Sequence, residues 1–182
     1  MSIVAIVSSP QKNANTEFVI NTMAETLRAD GKDVQVFSIN PMANRKGCQG
    51  CDGCKKSGGA CIQKDDLTPV LEAIRDAEGI IVSSPVYFGE ACGQYRLLED
   101  RMYGFLKADF STSLAPGKKV AAVTAAGSAG ADELADKMLV PFVNYFKCES
   151  VGKIAMITHN DRKFAENNGD VIAQAKALAK KF

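Results

Sequence analysis

Four cysteines fall within fourteen residues as Cys48-x2-Cys51-x2-Cys54-x6-Cys61, and a glycine precedes three of them. A packed core does not need thiols at that density. Glycine lets the backbone turn tightly and bring its N–H groups close to sulfur. Four thiolates on one short loop are the ligand count of a [4Fe–4S] cluster or of a tetrahedral zinc ion. Zinc sites usually divide their ligands between two separated knuckles, whereas here three cysteines follow one another at two-residue gaps. A ferredoxin-type C-x2-C-x2-C-x3-C-P run lends its fourth cysteine to a second cluster. Here the fourth comes after six residues, Ile62 follows it, and there is no second set. The spacing favours one cluster on Cys48, Cys51, Cys54 and Cys61, with zinc and metal-free, redox-active thiols as rivals. Such a cluster with four thiolates carries about two negative charges when oxidised. Arg45, Lys46, Lys55, Lys56 and Lys64 are near enough in sequence to offset them.

Three further loops carry groups a ligand would need. Ser8-Ser9-Pro10-Gln11-Lys12-Asn13-Ala14-Asn15-Thr16 brings hydroxyls, amides and backbone N–H groups to the start of an expected helix, an arrangement suited to a phosphate or to helix capping alone. The glycine fingerprint of dinucleotide folds, G-x-G-x-x-G, is absent, and a loop lined by hydroxyls and amides suits a terminal monophosphate, whose oxygens need more donors than a bridging pyrophosphate's. Ser84-Pro85-Val86-Tyr87-Phe88-Gly89-Glu90 offers a turn and two aromatic rings that can lie along a flat ligand. Ala125-Ala126-Gly127-Ser128-Ala129-Gly130 is small enough to let a ring approach the backbone. The sole histidine, His159, is expected at the surface, and no Ser/His/Asp or metal-hydrolase arrangement is present.

The elements that hold these loops read as alternating strands and helices. Apolar strand runs fall at 3–8, 34–37, 79–84, 120–124 and 151–157. Helical spacing appears over 15–29, after Asp65-Asp66, over about 92–107, over 131–147, and in a terminal segment through Val171, Ala175, Leu178 and Phe182. Asp65 and Asp66 would sit in a first turn and suit its dipole. Five βα units with continuously apolar strands predict an α/β sandwich of three layers: a five-stranded parallel sheet in flavodoxin-like order 2-1-3-4-5, helices on both faces, and a ligand at the strands' carboxyl ends. The 182 residues are expected to form a single domain, with the cysteine-rich segment at about 39–64 as an insertion. A net charge of +1 gives no reason to invoke nucleic acid or an anionic membrane. The N-terminus enters a strand directly and no long apolar stretch follows, so a cytoplasmic location is expected, with thiols reduced. Cys92 and Cys148, far from the cluster of four, read as small buried hydrophobes.

The patterns Ser9-Pro-x-Lys-x-x-Asn15-Thr16, Asp65-Asp66, Ser84-Pro85-Val86-Tyr87-Phe88 and Asp100-Arg101 together resemble the NADPH-dependent FMN reductase family of flavodoxin-like proteins. With the compact cysteine motif added, the chain looks most like the iron–sulfur flavoproteins. The resemblance implies FMN, its phosphate on Ser9, Gln11, Asn15 and Thr16. The isoalloxazine would rest near Pro85, Val86, Tyr87, Phe88 and Gly89 and near Ala126 and Gly127. The family commonly has glycine or asparagine where this chain has Ala125-Ala126. The resemblance further implies a homodimer or homotetramer with the flavin near a subunit interface. Its function would be electron transfer from ferredoxin or NAD(P)H to an acceptor through FMN and the cluster, with no acid–base pair required. The alternatives are an NAD(P)H-dependent FMN or quinone reductase without a cluster, and a non-enzymatic zinc- or redox-sensing module.

Overall fold

A computed structural model describes residues 1–182. The strands are β1 (Ser2–Val7), β2 (Asp33–Ser38), β3 (Gly79–Tyr87), β4 (Glu90–Ala91), β5 (Lys119–Ala126) and β6 (Glu149–Ile157). The helices are α1 (Asn15–Ala29), α2 (Gly53–Lys56), α3 (Thr68–Asp76), α4 (Gly93–Met102), α5 (Ala131–Val140) and α6 (Gly169–Ala179). The sheet runs β2-β1-β3-β5-β6, all parallel, which is the expected order once the two-residue β4, a hairpin partner of β3, is set apart. No helix is long and apolar enough to cross a membrane.

Side chains alternate across each strand, so the sheet feeds two cores. Val4, Ile6, Ile80, Val82, Val120 and Ala122 face α3, α4 and α5. Ile3, Ala5, Val7, Ile81, Ala121 and Val123 face α1 and α6. Both faces are apolar because parallel strands are covered on both sides. Cys92 and Cys148 are buried in the first of these cores, as their isolation in the sequence predicted.

Three boundaries differ from the periodic reading, each for a local reason. The 131–147 helix stops at Val140, because Pro141 has no N–H for the i→i−4 ladder, and a π-turn (Pro141–Tyr145) follows. That turn carries Phe142 into the core, where Phe146 meets both Phe105 and Phe142 edge to face. The 92–107 helix tightens to a 3-10 turn at Tyr103–Phe105. Asp65 and Asp66 precede α3 rather than forming its first turn. The Asp65 carboxylate accepts from the Leu67 N–H (3.0 Å), and that of Asp66 from the Asn44 N–H (2.8 Å), so both fasten loop ends.

Cys148 is 5% exposed beside β6. Burial pushes its thiol up from 9.0 to about 11, against the pull of the nearby Lys118 cation. A raised folded-state pKa means that this contribution to stability is complete below the unfolded value and is lost as pH climbs through the folded one. Two units correspond to at most about 3 kcal/mol. Cys148→Ala is therefore expected to lose less stability than the parent between pH 9 and 11, by about 2 kcal/mol, measured by urea unfolding across that range.

Candidate functional site

The carboxyl ends of β1, β3, β5 and β6 surround a cavity of about 330 Å³. Ser9, Gln11, Ala14, Asn15 and Thr16 line one side, Pro85, Val86 and Tyr87 another, and Ala125, Ala126 and Gly127 a third. All the residues expected at a ligand site from these loops are brought together here except Phe88 and Gly89, which lie outside the cavity. A fourth side was missed from sequence: Thr158, Asn160, Asp161 and Arg162, just beyond β6. The available signal was a polar run at the end of a strand adjacent to β5. His159 within that run is exposed, as expected.

The first loop is shaped by its own hydroxyl. Ser9 Oγ accepts from the Gln11 N–H at 3.1 Å, closing a tight turn. α1 has no side-chain cap, and Phe18 to Ala14 (2.9 Å) is the backbone bond that opens its ladder. The N–H groups of Asn15, Thr16 and Glu17 thus precede the ladder and give that end a partial positive charge, suited to an anion. The Asn15 side chain departs from expectation. Its Nδ2 donates to the Asp161 carbonyl (2.7 Å) and its Oδ1 accepts from the Ala165 N–H (2.8 Å). Both polar atoms are thereby committed to joining α1 to the segment after β6, which leaves the backbone N–H for a ligand. Thr158 fixes the same segment against β5, its N–H and hydroxyl both donating to the Ala126 carbonyl (2.8 and 3.0 Å).

On the β3 side, Val86 pairs with Ala91 and Tyr87 with Glu90, leaving Phe88 and Gly89 as a two-residue turn. Both have positive φ (53° and 80°), the twist that such hairpins require. Phenylalanine in the left-handed region costs about 1 kcal/mol, and the ring is fully exposed. Tyr87 stands at the cavity wall. Burial pushes its phenol up, Cys92 adds to the rise, and Arg162 opposes it, which sets a cation near the mouth.

The cysteine loop forms a second site. Cys48 and Cys51 are exposed, Cys54 is buried and Cys61 is partly covered, and all four line one narrow crevice of about 20 Å³. No three His, Cys, Asp or Glu side chains converge closely enough to hold a single metal ion. One side of the crevice comes from the 3-10 turn after α4: a Cβ at Gly104 would stand 3.1 Å from Cys61 Cβ and 3.2 Å from its N, so only glycine admits this approach without a shift. Lys55 on α2 is anchored over the Tyr103 ring (3.8 Å to its centroid) and donates to the Leu106 carbonyl at 2.6 Å. Ser113 Oγ donates to the Gly59 carbonyl at 2.7 Å.

The central residue of this site is Arg101. It is 1% exposed, and its fork reaches four partners. Nη1 donates to Asp65 Oδ2 (2.6 Å) and to the Lys46 carbonyl (3.1 Å), and Nη2 to the Gln63 carbonyl (3.2 Å). Nε donates to the Cys61 sulfur at 3.1 Å. Three of the five cations expected to offset sulfur charge have other partners: Arg45 donates to the Asn40 and Met42 carbonyls, Lys55 is anchored as above, and Lys64 lies 3.9 Å from Glu72. In the sequence Arg101 appears only as half of the Asp100-Arg101 pattern, but its position on α4 marks it further. It falls on the apolar stripe of α4 with Leu98 and Met102, where an arginine is buried only with partners.

Asn40 spans the two sites. Its Nδ2 donates to the Pro10 carbonyl (3.4 Å) and its Oδ1 accepts from Gln94 (3.1 Å). For the first site, Asn15→Ala removes the two side-chain bonds that join α1 to the segment after β6. It is expected to destabilise the fold by about 1–3 kcal/mol, read from thermal or urea unfolding.

Comparison with known proteins agrees with this arrangement. Residues 1–163 match the model of the NADPH-dependent FMN reductase family. An iron-sulfur flavoprotein of Archaeoglobus fulgidus is 38% identical over 101 residues, 56% of this chain and 48% of the relative. Another from the same organism is 33% identical over 141 residues, 77% of this chain and 70% of the relative. The chain thus spans about half the length of the first of these. Among solved structures, the NAD(P)H:quinone oxidoreductase of Methanothermobacter marburgensis superposes with a TM-score of 0.65 at 14% identity, covering 100% of this chain and 96% of the other, a likeness of fold alone. With a family match that runs from the first strand past the sixth, and with the family's loops closing on one cavity, the chain belongs to the NADPH-dependent FMN reductase family.

Proposed function

We propose that this chain is a flavin-dependent oxidoreductase holding FMN in the cavity at the strand ends and a [4Fe–4S] cluster on Cys48, Cys51, Cys54 and Cys61. It passes electrons between a reduced donor, ferredoxin or NAD(P)H, and an acceptor. The observation that carries the reading is that all four cysteines, drawn from different parts of a fourteen-residue run, line a single crevice. A cluster spreads its ligands over separate iron corners, so its sulfurs stand wider apart than those around one ion. Four cysteines around one crevice supply the donor count of such a group. The 20 Å³ between them is small, and the exposed Cys48 and Cys51 are the ligands free to adjust around the group.

FMN when bound exchanges two electrons with a hydride donor, or one at a time with a cluster. The chain's own part is to bind and orient. The first-turn N–H groups of α1, with Ser9, Gln11 and Thr16, would receive the phosphate. Tyr87, Pro85 and Val86 would form one wall for the ring, and Ala126 and Gly127 the other. Arg162 at the mouth adds a positive charge on the side that sequence missed. Assembly as a homodimer or homotetramer fits the exposed apolar surface of Tyr103, Phe110, Val140, Val143 and Tyr145. A reducing compartment such as the cytoplasm suits six free cysteines.

The deciding experiment is iron, acid-labile sulfide, zinc and FMN per chain, on protein purified without oxygen. About four irons and four sulfides with one FMN is the expected result. FMN with no metal would instead leave a cluster-free NAD(P)H-dependent FMN or quinone reductase, and zinc would overturn the cluster. Cys51→Ala is expected to lose the iron and keep FMN; unchanged iron would remove Cys51 from the ligand set. Thr16→Val is expected to weaken FMN binding about tenfold, the loss of one hydrogen bond to a charged group, measured by fluorescence titration. Unaltered affinity would count against the α1 site for the phosphate.

A further inference from the structure

We infer that Arg101 is a positioning residue of the sulfur site that also sets its reduction potential, by donating its Nε–H to Cys61 and placing a buried positive charge beside the ligand set. The inference rests on the proposed cluster and goes beyond its four cysteines. A conventional buried arginine that only fastened a loop would spend its fork on oxygen. Arg101 does so with Nη1 and Nη2, which hold Asp65, the Lys46 carbonyl before the cysteines and the Gln63 carbonyl after them. Nε alone is turned to sulfur, at 3.1 Å. The loop's two ends and one of its ligands are therefore registered on a single planar group, whose geometry a lysine cannot reproduce.

The charge arrangement is equally specific. Arg101 and Asp65 are both almost wholly buried, so their fields are weakly screened by solvent. Hydrogen bonds to ligand sulfur and local net charge are the protein's means of setting the potential of such a site. An N–H directed at sulfur favours the more negative, reduced state and raises the potential; the Asp65 carboxylate opposes it. The two members of the pair thus act on the potential with opposite sign, although both act on the loop as fasteners.

That difference in sign gives the test. Iron and sulfide are first counted in the unmodified protein, then midpoint potentials are measured by electron paramagnetic resonance during redox titration of the parent, Arg101→Lys and Asp65→Asn. The expected result is a midpoint below the parent's for Arg101→Lys, which loses the directed Nε–H, and above it for Asp65→Asn, which keeps that bond and loses the negative charge. A purely structural fastener would lower cluster content in both variants without moving the midpoints apart, and that result overturns the inference while leaving the cluster in place. If Arg101→Lys fails to fold, shown by its circular dichroism melt, Asp65→Asn decides alone: a midpoint at or below the parent's overturns the inference. Absence of iron from the parent protein overturns the cluster reading and this inference together.

Discussion

The buried Arg101–Asp65 pair is the constraint on which the second site depends. Taking both charges out of water is costly, and their attraction repays it only where the remaining donors and acceptors are also satisfied. Here they are: the fork uses Asp65, two carbonyls and a sulfur, and Asp65 also accepts from the Lys46 and Leu67 N–H groups. The consequence is a loop, from Lys46 to Asp65, whose two ends are held at one point. Without such a closure, a glycine-rich segment of that length would retain most of its conformational freedom, and the cysteines would have no common crevice.

The first site is built on a different economy. It needs no buried charge, because α1 supplies its donors from backbone N–H groups that have no partner within the helix. Asn15 and Thr158 serve the shape of that cavity, one joining α1 to the segment after β6 and the other fixing that segment to β5, while Ser9 also closes the first turn. Asn40 and Gln94 then tie the first loop to the start of the cysteine segment and to α4. The relative placement of the two sites is thus carried by short polar contacts laid over a rigid sheet.

Much of this was legible in the sequence because it follows from pattern. The continuous apolar runs marked the parallel strands, the alternation of five βα units pointed to their flavodoxin-like order, and the polar loops between them fell at the carboxyl ends where the cavity lies. What was not legible depended on partners distant along the chain. Asn15 reads as a ligand-facing amide until Asp161 and Ala165 are brought against it. Asp65 and Asp66 read as dipole-matching acids until the loop folds back on Arg101 and Asn44. Arg45 and the lysines near the cysteines read as counter-charges because they are close in number, whereas the cation bonded to Cys61 sulfur comes forty positions later.

The register of the sheet has one more implication. Every strand pairing involves residues 2–7, 33–38, 79–87, 90–91, 119–126 or 149–157, and none draws on the cysteine segment. That segment is held to the domain along its length, by Arg101 near its two ends and by Lys55 and Ser113 in its middle. The strand pairings therefore do not depend on how that segment is folded. A fold arranged in this way can acquire or lose a sulfur centre by editing one connection, with the architecture that carries the other cavity left in register.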